Sequence, residues 1–124
     1  MSSETLNMHD KMRIIQEIVP GRQITLAHII ANPDEVLYQK LGLDPRVDYR
    51  GSAIGILTVS PSETAIITAD IALKSSGAQL GFVDRFSGTL IITGTVSEVE
   101  AAFSDIAHYV SEKLGFAVCP VTKT

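Results

Sequence analysis

The polar residues best placed to do chemistry in this sequence are Asp84, Arg85 and Ser87, in the run Asp84-Arg85-Phe86-Ser87-Gly88. Apolar runs flank it on both sides, a pattern that predicts two strands joined by a tight connection. A carboxylate beside a guanidinium could serve as an acid and an anion clamp, although an ion pair within the turn is the more frequent arrangement. No nucleophile with a base and an orienting group accompanies them. The connection therefore predicts a presented surface rather than an active site.

The three histidines and the single cysteine do not form a metal-binding pattern. His9, His28 and His108 stand at no ligand spacing from one another or from Cys119. His28 lies in an apolar run, which favours a hydrogen-bonded histidine in a core or interface. Cys119 is interpreted as a small buried hydrophobe. No glycine-rich phosphate loop is present either, so the sequence predicts neither a metal nor a cofactor.

The composition indicates a chain that hides apolar surface by self-association. Of its 124 residues, 45% are hydrophobic and 19% are charged, and the mean hydropathy is +0.24. No apolar run reaches the ~20 residues that a membrane-spanning helix needs. A net charge of −4 provides no basic footprint for nucleic acid. Burial between subunits is the remaining way to remove the excess apolar surface from water.

The ends of the chain and its cysteine content indicate a cytoplasmic location and one domain. The N-terminus lacks the basic region and apolar core of a secretory signal. One cysteine excludes an internal disulfide and fits a reducing compartment. Residues 1–12 are polar and aperiodic, so we expect them to be mobile. Residues 13–124 are long enough for a single core.

Start and stop signals predict three helices. Asn32 is expected to cap the first helix, with Pro33 at its first position and Gly42 at its end. The second helix begins at Ser60-Pro61-Ser62-Glu63 and ends at Lys74, and the third runs from Thr95 to Gly115. Each carries an acid in its first turn and a lysine in its last turn. Asp70 and Lys74, four residues apart, are positioned to pair. The third helix has an apolar stripe at Val99, Ala102, Phe103, Ile106, Val110 and Leu114.

Strand signals fill the intervals between these helices and predict an α+β fold. The fold is expected to be one mostly antiparallel sheet with helices packed on it. Leu43–Gly51 is charged and reads as a linker, the expected internal joint. The predicted strands are Arg13–Val19, Ile24–Ala31, Ala53–Val59, Ala78–Val83, Leu90–Thr93 and Phe116–Cys119.

Several segments of the chain match one family in a fixed order. They are IIQEIVPGRQITLAHIIANP, AIGILTVSPSETAIITADIALKS, GFVDRFSGTLIITG and the tail CPVTKT. In them the sequence resembles the shell proteins of bacterial microcompartments. The most similar group is the circularly permuted hexameric type of ethanolamine, propanediol and choline utilisation organelles. The resemblance covers nearly all of the chain from Ile14 to Thr124.

The resemblance implies a ferredoxin-like domain that forms flat six-fold rings tiling edge to edge. The segment similar to Ala27–Gly42 ends the chain of ordinary shell domains and comes first here. The connection containing Arg85, Phe86, Ser87 and Gly88 would lie near the ring's central axis. Lys74 matches the edge lysine used between hexamers. Asn32 stands in place of the usual edge arginine, and Ser75-Ser76-Gly77 replaces the usual small residues and Asn.

The resemblance also implies that the N-terminal strand Arg13–Val19 joins a six-stranded barrel over one face of the ring. A lone strand leaves backbone groups unpaired, and closing six copies into a barrel removes every edge. Its alternating sides are Ile14, Gln16 and Ile18 against Ile15, Glu17 and Val19.

These observations favour a structural shell subunit over two alternatives. The subunit would form homo-hexamers, associate with other shell proteins and surround an enzyme core, and the bulky Phe86 predicts an obstructed pore. The first alternative is a regulatory module that binds a small metabolite at a subunit interface, with Arg85 collecting anions. The second is an enzyme whose site is assembled from several chains. A stable monomer would exclude the structural interpretation.

Overall fold

A computed structural model describes residues 21–75 and 77–124, which form one sheet and three helices. Two predictions lie outside the described residues. They are the mobile region over 1–12 and the barrel strand over 13–19, with Ile14, Ile15, Gln16, Glu17 and Ile18. The elements in chain order are β1 (Gln23–Ile30), α1 (Glu35–Lys40), β2 (Ala53–Ser60), α2 (Thr64–Lys74), β3 (Gln79–Asp84), β4 (Thr89–Gly94), α3 (Val96–Leu114) and β5 (Thr122–Lys123).

The sheet is mostly antiparallel, as the sequence predicts. Its strand order is β3-β4-β2-β1-β5. The pairs β1/β2, β2/β4 and β3/β4 are antiparallel, and β5 joins β1 in parallel. Because β3 and β4 are neighbours joined by a short connection, the residues between them stand at one end of the sheet.

The final strand lies later in the chain than predicted. Phe116 is buried in the core and Ala117 forms a single parallel bridge with Gln23, so Phe116–Cys119 is not a strand. Pro120 has no N–H group to donate to a ladder. The strand begins beyond it at Thr122, opposite His28 of β1. Its position is set by pairing with a distant segment, which local sequence does not encode.

Helix α3 begins and ends where the sequence predicts. Glu98 accepts a hydrogen bond from the Thr95 N–H at 2.8 Å, and the Thr95 hydroxyl accepts one from the Glu98 N–H at 3.1 Å. Gly115 ends the helix in the left-handed conformation at φ 71°. The predicted stripe faces the sheet, and its fully buried members are Val99, Ala102, Phe103, Ile106 and Val110.

The starts of the other two helices differ from the prediction. Asp34, not Asn32, caps α1, and its carboxylate accepts a hydrogen bond from the Val36 N–H at 2.9 Å. The side chain therefore satisfies a donor two residues on, which Asn32 is too early in the chain to reach. In α2 the predicted acidic first turn is absent, since Glu63 precedes the helix and forms no cap bond.

Two hydrophobic cores hold the helices on opposite faces of the sheet. The main core contains α2, α3 and alternate residues of β1, β2 and β4. Gly55 permits α3 to lie close, because a Cβ there would meet Val99 Cγ1 at 2.6 Å. The second core is small and is formed by Tyr38, Leu43, Ile54 and Ile91. In the described part of the chain, no helix is both long enough and apolar enough to cross a bilayer.

Candidate functional site

The last residue of β3 and its connection to β4, residues 84–88, are here called the hairpin tip. Asp84 organises it: its carboxylate accepts hydrogen bonds from the Phe86 N–H and from the Ser87 hydroxyl, each at 2.9 Å. The Phe86 N–H bond is the larger cause of a lowered pKa at Asp84, followed by the Ser87 bond. The predicted ion pair between Asp84 and Arg85 is wrong, because the turn's own donors occupy the carboxylate.

Gly88 fixes the hairpin tip to the body of the sheet. Its N–H donates to the Asp84 carbonyl at 2.9 Å, and its carbonyl accepts from the Val59 N–H at 2.9 Å. The backbone φ of Gly88 is 75°, and a Cβ atom there would collide with the Val59 carbonyl oxygen. The turn at the tip is therefore fixed by hydrogen bonds, and only glycine fits at position 88.

Arg85 and Phe86 are the two large side chains that the hairpin tip exposes. Both are exposed, and Phe86 exposes 81% of its surface. The Arg85 guanidinium carbon lies 5.0 Å from the centre of the Phe86 ring, within cation–π range. Among the residues that the structure describes, four ion pairs form, and none includes Arg85. The tip thus offers an aromatic surface with a cation above it.

Helix α2 exposes large apolar side chains to solvent in the single chain, on the side that faces away from the sheet. Small residues face the sheet, with Ala65, Ala69 and Ala72 almost fully buried. The large residues point outward: Ile66 is 50% exposed, Ile67 43% and Leu73 54%. We call this surface the α2 outward face. The sequence-based prediction does not include this face, although the mixture of small and large apolar residues in TAIITADIALK is a signal for it.

Lys74 lies at the end of α2, beside a groove between α2 and α3. Its Nζ pairs with Asp70 at 2.8 Å, which confirms that predicted pair and raises the pKa of Lys74 through the hydrogen bond. The groove has a volume of about 310 Å³ and is also lined by Ile67 and Tyr109. Asn32 is exposed and lines a different cavity, beside α1. The two predicted edge residues therefore lie beside different cavities of the chain.

Residues 43–51, the predicted linker, form a turn-rich segment without helix or strand, here called the Asp-Arg segment. In it Asp44 binds Arg46 and Asp48 binds Arg50 through paired hydrogen bonds of 2.8–3.2 Å. Each aspartate also accepts from the backbone N–H of the same arginine. These bonds, led by the Arg50 side chain, lower the pKa of Asp48 to about 2.

Two stacked tyrosines anchor the Asp-Arg segment to α1. The rings of Tyr38 and Tyr49 are 4.7 Å apart and nearly parallel. The Tyr38 hydroxyl donates to the Ser52 carbonyl at 2.6 Å, and burial raises its pKa. A cavity of about 630 Å³ opens between the segment and α1. The linker is thus a fixed piece of surface.

The histidines and the cysteine have structural surroundings. The His28 ring nitrogens lie 2.6 Å from the Thr122 hydroxyl and 2.9 Å from the Thr124 hydroxyl, which confirms the hydrogen-bonded histidine. His108 is exposed on α3, and Cys119 is only half-buried against the main core, not fully buried as predicted. Within residues 21–75 and 77–124, no group of three His, Cys, Asp or Glu side chains could hold a metal ion.

The geometry brings together an apolar helix face and a held hairpin tip on one small α+β domain. Exposed apolar surface of this kind is typical of a subunit that associates with other chains. Among the described residues, four ion pairs form, and each joins exposed side chains. The class that these features indicate is an assembly domain.

Comparisons with known proteins agree on that class. Residues 53–122 match the BMC domain family. The chain is 51% identical over 112 residues to the bacterial microcompartment shell protein PduU of Salmonella typhimurium, covering 90% of this chain and 93% of that protein. A solved structure described as "CutR flat hexamer, form 1" has a TM-score of 0.76 at 45% identity, covering 86% of this chain and 94% of that one.

A more distant structure bears on the order of the elements. The fused permuted hexameric shell protein MSM0275 from the RMM microcompartment has a TM-score of 0.64 at 18% identity, covering 73% of this chain and 46% of that one, a likeness of fold alone. In the present chain β1 and α1 precede the matched region 53–122, yet β1 lies within the sheet between β2 and β5. The chain belongs to the BMC domain family of bacterial microcompartment shell proteins.

Proposed function

We propose that this chain is a structural, non-catalytic subunit of a bacterial microcompartment shell in the cytoplasm. Residues 13–124 act as one domain, and six copies form a homo-hexameric ring that tiles with other shell proteins around an enzyme core. Relatives named as microcompartment shell proteins and a hexameric relative of 45% identity support this proposal.

The observation that carries the proposal is the α2 outward face. Three large aliphatic side chains, Ile66, Ile67 and Leu73, are about half exposed on one helix, with Tyr109 of α3 beside them at 44% exposure. Burying such side chains contributes about 25 cal/mol per Å² of apolar area removed from water. A domain that leaves them exposed alone gains this free energy when another copy covers them.

The proposal places the hairpin tip at the axis of the ring. Phe86 is the most exposed large apolar residue of the described chain, and six copies of its ring around one axis would narrow or close the opening. We propose that the pore, formed by Arg85, Phe86, Ser87 and Gly88, is obstructed. The barrel strand proposed for residues 13–19 would cover the same axis from one face.

The proposal places Lys74 and Asn32 at the outer edge of the hexamer. Lys74 is exposed and reaches Asp70 of its own helix, so its ammonium group is available at low cost to a partner across an edge. Asn32 offers an amide where an arginine would offer a charged fork, and hexamer contacts through it should therefore be weaker.

Light scattering of the purified protein tests the proposal directly. The expected mass is that of six chains. Replacing Ile66, Ile67 and Leu73 together by serine should lower that mass while leaving the far-ultraviolet circular dichroism unchanged, because the side chains of these residues lie outside the core. Val36→Ser, an equally exposed apolar change on α1, is the matched control and should leave the mass unchanged.

A monomeric wild-type protein would contradict the proposal. A triple variant with the wild-type mass would show that the ring assembles without the α2 outward face.

A further inference from the structure

We infer that the cavity between α1 and the Asp-Arg segment binds a small organic ammonium ion that carries an aromatic ring. Glu35 of α1 recognises the positive charge, and Val47 and Tyr49 of the segment contact the ring. All of these residues line the cavity within one chain. The inference therefore goes beyond the proposed function and does not depend on the assembly of a ring.

The cavity has the size and the firm walls of a small-molecule site. Its volume is about 630 Å³, and such sites are usually formed before the ligand arrives. The ion pairs of the Asp-Arg segment hold one wall, and the stacking of Tyr38 on Tyr49 fixes that wall to α1. Because the wall is already ordered, little conformational freedom is lost when a ligand enters.

The charges that line the cavity favour a cation. Asp44 and Asp48 line it, but each carboxylate is held by two side-chain hydrogen bonds or more from an arginine of the segment, Arg46 or Arg50. Glu35 lines it as well and is exposed, and none of the four ion pairs in the described part of the chain includes it. One negative charge is thus left over, which attracts a cation and repels an anion.

The available acceptors suit an ammonium group and not a metal ion. Within residues 21–75 and 77–124, no three His, Cys, Asp or Glu side chains are grouped to hold a metal. An ammonium group needs fewer acceptors, since one carboxylate provides a charge-assisted hydrogen bond. Gln39 lies one helical turn after Glu35 and lines the same cavity. Its amide oxygen can accept a second N–H of the ligand.

The rest of the lining suits an aromatic ring. Leu43, Pro45 and Val47 provide apolar surface beside the half-buried ring of Tyr49. Two aromatic rings in offset or edge-to-face contact attract each other beyond the effect of the area that they bury. An aromatic ring joined to an ammonium group by a short chain would therefore satisfy both the apolar wall and Glu35.

Ligand-observed NMR of the purified protein tests the inference, with phenethylamine as the probe at neutral pH. The expected result is saturable binding. Phenethyl alcohol has the same ring without the charge and should bind about tenfold more weakly, because its hydrogen bond to Glu35 is not charge-assisted. Phenylacetate, which carries the opposite charge, should not saturate the protein.

Two substitutions on α1 locate the binding. Glu35→Gln removes the charge and should weaken the binding of phenethylamine about tenfold. Gln39→Lys should pair with Glu35 across one helical turn and abolish binding, while the circular dichroism stays that of the wild type. Glu63→Gln is the matched control, since Glu63 is exposed, precedes α2 and does not line the cavity. It should bind the probe as the wild type does.

Three results would overturn the inference. They are a wild-type protein that phenethylamine does not saturate below about 10 mM, equal binding by the Glu35→Gln variant, and equal binding of phenethylamine and phenethyl alcohol. The light-scattering mass does not enter this test. A monomer that binds the probe as described would contradict the proposed function and leave this inference standing, and a ring that does not bind it would do the reverse.

Discussion

The hairpin tip and the Asp-Arg segment contain the same kind of turn. Within the described residues, the arginine at the tip forms no ion pair, whereas the arginines of the segment do. In each, an aspartate accepts the backbone N–H two residues on, from Phe86 at the tip and from Arg46 or Arg50 in the segment. In the segment, the residue that donates this N–H is also the arginine, so its side chain reaches the same carboxylate. At the tip, the arginine is one residue earlier, and the hydroxyl of Ser87 takes the second oxygen.

A shift of one residue therefore decides whether an arginine is neutralised or presented. The spacing Asp-x-Arg produces closed pairs, with Asp48 and Arg50 joined at 2.8 Å. The spacing Asp-Arg leaves the guanidinium outside the turn, over an aromatic ring. Since surface ion pairs of this kind add little stability, the difference matters mainly for what the surface can bind.

The largest expected effect comes from exchanging the two residues at the tip. In the double variant Arg85→Phe with Phe86→Arg, composition and net charge are unchanged, but the arginine moves to the second position after Asp84. It should then pair with Asp84 as Arg50 pairs with Asp48. We expect a crystal structure of the double variant to show the moved guanidinium paired with Asp84, while the light-scattering mass stays that of the ring. A moved arginine without contact to Asp84 would show that its position in the turn does not decide the pairing.

The glycines that shape the two regions should differ in their tolerance of a side chain. Gly88 and Gly51 both have positive φ, 75° and 78°, but a Cβ at Gly88 meets backbone and one at Gly51 meets open space. Gly51→Ala should cost about 1–2 kcal/mol, the penalty of the left-handed conformation alone. Gly88→Ala adds overpacking and should cost about 3 kcal/mol or more. Urea unfolding of the two variants measures the difference, and equal losses would mean that the tip can move away from β2.

The smallest expected effect is an acid dependence of the Asp-Arg segment. The pKa of Asp48 is about 2 in the folded chain, mainly through the Arg50 side chain, and 3.8 is its ordinary value. A lowered folded pKa stabilises the fold above pH 4, and that contribution is lost as the pH falls from about 4 towards 2. Asp48→Asn should remove this dependence from urea midpoints compared across that range. Arg50→Gln should reduce it, because the backbone N–H of residue 50 still donates to Asp48. Because the pair is exposed, the effect should be small and should shrink further in high salt.

The sequence predicts the parts of the fold whose signals are local. The capping box of Thr95 and Glu98 and the left-handed Gly115 define α3, because both bonds form within a few residues. The sequence places the final strand too early in the chain, because the position of that strand depends on pairing with β1, some ninety residues earlier. The sequence predicts Asn32 as the cap of α1 because two residues with capping side chains occur close together, and only the backbone geometry selects Asp34.

The candidate site is predictable in its location and not in its contacts. Apolar runs on both sides place residues 84–88 in a hairpin connection, as observed. Whether Asp84 pairs with Arg85 or with the turn depends on dihedral angles that residue types do not specify. The α2 outward face was missed for a different reason: Ile66 and Ile67 belong to the same residue class as the core, and only packing shows which side faces the sheet.

The central claim is that copies of this chain close into a ring with their hairpin tips inward. Electron cryomicroscopy of the purified protein tests it most directly. The account predicts six-fold rings in which residues 84–88 surround a narrowed axis and the α2 outward face is covered by protein. Isolated particles of one chain, or rings whose hairpin tips lie on the outer rim, would contradict it.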